Sequence, residues 1–263
     1  MTDKMLSRKE GKVGYLTFNN PERHNAVSLE MWEAAEGFLE DFKTDNNIRV
    51  VVVNGAGGKA FVSGADISKF DKERSSKEMI DRYNESVDRA NNAFFNFPKP
   101  TIAMIRGYCI GGGVGLALCC DMRICTEGSK FGVPAAKLGL GYRYDGLKKL
   151  VDLVGPSFAK EIFYTARQFT AAEAQMMGLV NRVLPDAEGE LEKYVKDYAD
   201  TIAGNAPITV DSVKFIVAQT LKDPDKRDLK GCEEWVTRAF ASEDYKEGRK
   251  AFMEKRKPQF TGS

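Results

Sequence analysis

The chain has 263 residues, enough for one large domain or a domain with a small appendage. Its 43% hydrophobic content allows a substantial buried core, and a net charge of +1 gives no global field to attract nucleic acid or an anionic membrane surface. One histidine excludes a metal site built from several imidazoles, and five cysteines with no CxxC pair argue against a disulfide framework or a zinc site.

The N-terminal stretch has no apolar segment of the secretory kind, so a cytoplasmic protein is expected. Val13 to Asn20 alternates apolar and polar residues and ends in Asn-Asn-Pro, which predicts a strand and a turn. The lone His24 lies in that turn, where a surface or capping role is expected. Ser28 is a candidate N-cap for an amphipathic helix carrying Leu29, Trp32, Leu39 and Phe42 on one face. Ile48 to Gly55 is a short β-branched run and predicts a strand buried on both faces.

Gly55 to Ala60 then matches GxGxxA, a dinucleotide fingerprint. The fingerprint needs a helix at once, whereas "AFVSGADIS" follows, so this reading is set aside. A helix is predicted over Ser75 to Phe97 and a strand over Thr101 to Gly107. The run Gly107 to Cys120 is nearly apolar but too short to span a bilayer. Within it, Gly111, Gly112 and Gly113 open a buried helix, and "DMRICTEG" forms another strand.

Strands and helices alternate to about residue 183, which predicts an α/β sheet packed by helices. Pro156 falls in the first turn of a helix, and Thr170 with Glu173 forms a capping box. Beyond "LVNRVLP" four amphipathic segments follow, near 187–204, 206–221, 226–242 and 243–256. A soft boundary near residue 200 divides a core, 1–200, from a helical region, 201–263, whose apolar stripe covers this subunit or a neighbour. The basic tail "EKRKPQF", from Glu254, reads as a solvated helix end or an anion contact.

The glycine run admits two readings. A helix N-terminus presents unpaired N–H groups, and glycine lets a ligand oxygen approach them closely. A second main-chain donor from the "SGAD" loop would complete an oxyanion hole. Alternatively, these glycines serve close helix–sheet packing.

Several motifs now stand in order: "NNPERHNAVS", "AFVSGADIS", "KPTIAMIRGYCIGGGVGLALCCDMRI", "FGVPAAKLGL", "FTAAEAQMMGLVNRV" and "EDYKEGRKAFMEKRKP". Together they resemble the enoyl-CoA hydratase (crotonase) superfamily over nearly the whole chain. The resemblance implies a spiral of ββα units with a C-terminal helical trimerisation region, assembled as a trimer or a dimer of trimers. It implies a coenzyme A thioester as substrate, with no separate cofactor. It places the thioester oxygen between the N–H groups of Ala65 and Gly112. Gly64, Ala65, Asp66 and Ile67 would line the coenzyme A arm. Arg23 and Lys255 match positions near its nucleotide end.

Hydratases of the family resemble one another in two glutamates, and in this chain those positions hold Gly115 and Ala135. Hydration needs a base for water and an acid for the α-carbon, and neither residue can move a proton. Loss of CO₂ from a malonyl-type thioester leaves the enolate without a base. "LGLGYRYDGLKKLVDLVG", "AKEIFYTARQFTAAEA" and the tail also resemble the methylmalonyl-CoA decarboxylase branch, with Tyr142 at that branch's loop tyrosine. Tyr142 is therefore the candidate to bind the acyl carboxylate or carbonyl or guide protonation, with a packed aromatic as the alternative. Arg143 would pair with an acidic acyl group or face solvent or a neighbouring subunit. Asp145 is an acid/base candidate, a holder of Arg143 or, preferably, a helix N-cap. Ser63 and Cys109 flank the expected site as lining.

The leading expectation is a lyase that decarboxylates a malonyl- or methylmalonyl-type CoA. The alternatives are an enoyl-CoA hydratase or isomerase with Asp145 substituting for the missing groups, and a non-catalytic acyl-CoA-binding protein.

Overall fold

The computed structural model describes residues 2–66 and 76–263. Two sheets form the frame. The larger takes β1 (Met5–Glu10), β2 (Val13–Phe18), β3 (Val50–Gly55), β5 (Thr101–Ile105), β7 (Met122–Thr126) and β10 (Arg182–Leu184), side by side in that order. All neighbours run parallel except β1 against β2. The smaller takes β4 (Ala60–Val62), β6 (Tyr108–Ile110), β8 (Lys130–Gly132) and β9 (Phe169–Thr170), with only β9 antiparallel.

The α-helices among the described residues are α1 (Leu29–Thr44), α2 (Lys77–Phe95), α3 (Gly112–Leu118), α4 (Tyr144–Thr165), α5 (Ala171–Met176), α6 (Glu190–Ala203), α7 (Pro207–Thr220), α8 (Leu229–Ala241) and α9 (Glu243–Met253). The chain repeats one circuit, from a large-sheet strand to a small-sheet strand and then a helix. β3, β4 and α2 make one turn of this spiral, β5, β6 and α3 the next, β7, β8 and α4 a third. The ββα spiral expected from the sequence is therefore present.

The β-branched run in β3 is buried on both faces. Val50 and Val52 pack with Ile102, Met104 and Ile124 against Leu191, Val195 and Ala199 of α6. Val51 and Val53 face the inner core, with Ala103 and Ile105 of the large sheet and Phe61, Val62 and Phe131 of the small one. Such two-sided burial is what a parallel strand covered by helices requires.

The local signals hold. Thr170 Oγ1 accepts from the Glu173 N–H at 3.2 Å, while Glu173 accepts from the Thr170 N–H at 2.7 Å, closing the capping box. Gly155 breaks α4 with φ 75° and ψ 166°, and Pro156 starts its second half. Ser28 precedes α1, but its hydroxyl donates to Glu30 at 3.3 Å and caps no backbone N–H. Gly55 to Ala60 connects β3 directly to β4, a strand where the fingerprint needs a helix, which removes the dinucleotide reading.

All five cysteines are free and four are buried. Burial pushes the Cys119 thiol up to about 11 and the Cys125 thiol up to about 12, so these are inert core residues. No helix among the described residues is long and apolar enough to cross a membrane.

Candidate active site

The site grows from three segments that the spiral stacks together. The first is the turn after β2. Asn25 adopts φ 56° and is completely buried. Its side-chain oxygen accepts from the Asn20 N–H at 2.9 Å, and its amide donates to the carbonyls of Ala56 at 2.9 Å and Ala60 at 2.7 Å. Asparagine tolerates the left-handed region and brings both a donor and an acceptor. The turn is thereby pinned to the β3–β4 connection.

The second segment follows β4 and is held by that turn. Ser63 N–H donates to His24 at 3.1 Å, Val27 N–H to Gly64 at 2.8 Å, and Asp66 N–H to Val27 at 3.0 Å. Val27 and Ala65 thus form a parallel bridge. In this pairing the neighbours of Ala65 serve Val27, so the N–H of Ala65 points the other way. It has no acceptor among the described residues. Gly64 sits at φ 104°, a region that L side chains rarely occupy.

The third segment is the entry to α3. Gly111 takes φ 56° and ψ −116°, and its N–H donates to Gly132 at 2.8 Å. The first helical bond is Gly115 N–H to Gly111 at 3.2 Å. The N–H of Gly112 therefore has no acceptor within the helix.

The two glycine readings separate at this point. A Cβ on Gly113 would overlap the Val62 carbonyl, so Gly113 serves packing. Gly112 is solvent-exposed. A Cβ on Gly64 would lie 3.7 Å from the Gly112 nitrogen, and one on Gly112 would lie 3.6 Å from the Gly64 Cα. A methyl group added to either glycine would stand at van der Waals distance from the other segment, and each segment leads to an N–H with no acceptor among the described residues.

One turn along α3, a Cβ on Gly115 would meet nothing within 4 Å. Ala135 is buried in the turn Pro134–Leu138 that follows β8. Neither side chain can donate or accept a proton.

Tyr142 stands just before α4. Its ring meets Phe163 edge-on at 4.7 Å, and 39% of its surface stays exposed, while desolvation of the phenol pushes its pKa above the usual value. Arg143 forms an ion pair with Asp88 of α2. That pair occupies the guanidinium with a surface carboxylate, so Arg143 is tied to a helix rather than held open. Asp145 does not cap α4: the residue preceding the helix is Arg143, in extended conformation, and Asp145 lies in the first turn with no capping bond. There a carboxylate interacts favourably with the helix dipole. Among the described residues, no hydrogen bond joins Tyr142 or Asp145 to Ala65, Gly112 or Gly115.

Arg23 and Lys255 are both exposed, one at the end of the Pro21–Arg23 turn and one past α9 at φ 54°. The Arg23 carbonyl accepts from the Ser63 hydroxyl at 3.3 Å. Asp66 is buried, and Ile67 lies outside the described residues. Cys109 is fully buried and lines no surface. Sequence reasoning singled out His24 in the turn and passed over Asn25. The one available signal was an asparagine beside the turn, a residue that favours positive φ. Nothing in the sequence pointed to Asp88 as the partner of Arg143.

The family model for enoyl-CoA hydratase/isomerase matches residues 8–263. The chain belongs to this family. It is 33% identical over 257 residues to a short-chain-enoyl-CoA hydratase of Clostridium acetobutylicum, covering 96% of this chain and 95% of that one. It is also 33% identical to a crotonyl-CoA hydratase of Syntrophomonas wolfei, over 98% of each chain. A crystal structure of an enoyl-CoA hydratase/carnithine racemase from Magnetospirillum magneticum superposes with a TM-score of 0.93 at 36% identity, covering 100% of this chain and 97% of that one. The chain is accordingly an enzyme of an acyl-CoA-processing superfamily. These hydratase/isomerase relatives lend no support to the decarboxylase branch that Leu138–Gly155, Ala159–Ala174 and the tail suggested.

Proposed function

We propose that this enzyme activates an acyl-CoA thioester by holding its carbonyl oxygen between the N–H groups of Ala65 and Gly112, and works through the resulting enolate. The observation that carries the reading is the close approach of two glycine segments, only one methyl group's width apart, each leading to an N–H with no acceptor among the described residues. Two preorganised donors on one oxygen stabilise developing negative charge, at about 3–4 kcal/mol per donor in well-studied enzymes.

Hydration or isomerisation of an enoyl-CoA is the reaction the named relatives favour. Under this reading the proton is moved by a group other than residues 115 and 135, and Asp145 is the nominated carboxylate. A second reading rests on Gly115 and Ala135, which cannot move protons. Decarboxylation of a malonyl- or methylmalonyl-type CoA needs the hole but no base, and Tyr142 would then face the acyl group. Gly64, Asp66 and Ile67 are proposed to line the coenzyme A arm, with Arg23 and Lys255 at its nucleotide end. A homotrimer or dimer of trimers fits α8, which has no buried residue, together with exposed Leu229, Phe240, Phe252 and Met253.

The deciding experiment incubates the protein with crotonyl-CoA, malonyl-CoA and methylmalonyl-CoA and follows each by mass. Gain of water by crotonyl-CoA is expected. Loss of CO₂ from either malonyl thioester would replace hydration with the second reading. Tight binding with no turnover of any of them would contradict both.

A further inference from the structure

α3 carries the Gly112 donor but is only seven residues long. A helix of two turns does not hold its own position; its surroundings must fix it. At its N-terminal end Gly113 presses against the Val62 carbonyl. At its other end lies a buried cation. Arg123, on β7, is 4% exposed. Its Nε donates to Leu179 O at 2.8 Å, and its Nη1 to Ala117 O at 3.2 Å and Cys120 O at 2.7 Å. Its Nη2 reaches Asp121 O at 3.4 Å and Asn181 Oδ1 at 3.5 Å. Ala117 belongs to the last turn of α3, and Cys120 and Asp121 form the turn after it. Leu179 and Asn181 belong to the strand approach of β10. A helix C-terminus leaves carbonyls unpaired and favours a cation, and the planar guanidinium fork serves several at once.

We infer that Arg123 is a positioning residue, holding α3 so that the N–H of Gly112 stays aimed at the acyl oxygen. The inference rests on the reading of Ala65 and Gly112 as the donors to that oxygen. Arg123 touches no substrate; it acts through the helix. Lysine keeps the charge but lacks the fork, so it cannot engage the same set of carbonyls. A small rotation of α3 then misdirects the donor without emptying the binding surface.

The test uses the full-length enzyme and a dienoyl-CoA whose absorbance shifts to the red when its thioester carbonyl is polarised. Arg123→Lys is expected to bind the probe with little change in affinity and to lose most of the wild-type red shift. Its kcat on the enzyme's own substrate should fall about tenfold to a hundredfold, with KM within about threefold, the size expected for a misplaced group. A purely structural role would lower thermal stability and leave the red shift of the folded protein intact. If Arg123→Lys does not fold, the exposed Asn181→Ala carries the test: it removes the Oδ1 that accepts from the Arg123 main-chain N–H at 2.8 Å and from the fork's Nη2 at 3.5 Å, and so loosens the residue that holds α3. It should lose part of the shift and about threefold in kcat. A folded variant with full red shift and wild-type kcat overturns the inference. Absence of any red shift in wild type, with normal turnover by Gly112→Pro, shows instead that the donor reading is wrong and the inference falls with it.

Discussion

Gly112→Pro is the substitution best matched to the hole, because it deletes one N–H and little else. Gly112 is the first residue of α3, where proline is favoured: its fixed φ suits a helix and the missing N–H has no helical partner. The preceding residue must avoid the helical region, and Gly111, at φ 56° and ψ −116°, already does. Gly64 has no Cβ to obstruct the ring; even an added one would stand 3.7 Å from the nitrogen. Stability should therefore change by no more than about 1 kcal/mol. Loss of one oxyanion donor should lower kcat by about 10²–10³-fold, or about 3–4 kcal/mol. Steady-state kinetics on the substrate found in the mass assay, beside a thermal melt, measure both quantities. Gly113→Ala is the contrasting control: its Cβ overlaps the Val62 carbonyl, so it should lower stability. A folded Gly112→Pro enzyme with kcat within about threefold of wild type would refute the donor assignment.

Gly115→Glu should be accommodated, since a Cβ there meets nothing within 4 Å, and should raise crotonyl-CoA hydration by about tenfold or more. An unchanged rate in a folded variant would show that this position does not limit proton transfer. Asn25→Asp sets a carboxylate against the carbonyls of Ala56 and Ala60 and should cost about 3 kcal/mol in urea unfolding. A loss below about 0.5 kcal/mol would mean the turn is held by other bonds. Asp211 on α7 is half-buried, and burial pushes its pKa from 3.8 up to about 6 against the pull of Lys99, Lys214 and Arg238. The folded state then holds the proton more tightly, so the associated stability is present below the ordinary value and is lost as pH rises through about 6. Asp211→Asn should stabilise the protein near neutral pH and have little effect in acid. Equal effects at both ends would contradict the assignment.

Much of the architecture is legible in short-range pattern. The Val50–Val53 run predicts two-sided burial because both its odd and even residues are β-branched, and the structure puts a helix on one side and the small sheet on the other. The capping box at Thr170 is complete within four residues and forms as expected. What fails is what depends on distant partners. Asn25 works through carbonyls 31 and 35 residues away, and Arg143 through Asp88, 55 residues away. Asp145 looks like a cap because it precedes an apolar stripe, yet the helix begins two residues earlier than that cap requires, with Arg143 in the cap position, and a sequence cannot distinguish the two registers. The decarboxylase resemblance rested on Leu138–Gly155, Ala159–Ala174 and the tail. Those segments contribute helix packing common to the fold, so their similarity does not fix the reaction.

The most direct test of the account is a crystal structure of the enzyme with a bound acyl-CoA analogue. The thioester oxygen should lie about 2.7–3.1 Å from both the Ala65 and Gly112 nitrogens. An oxygen bound elsewhere, or reached by only one of those two nitrogens, would contradict it.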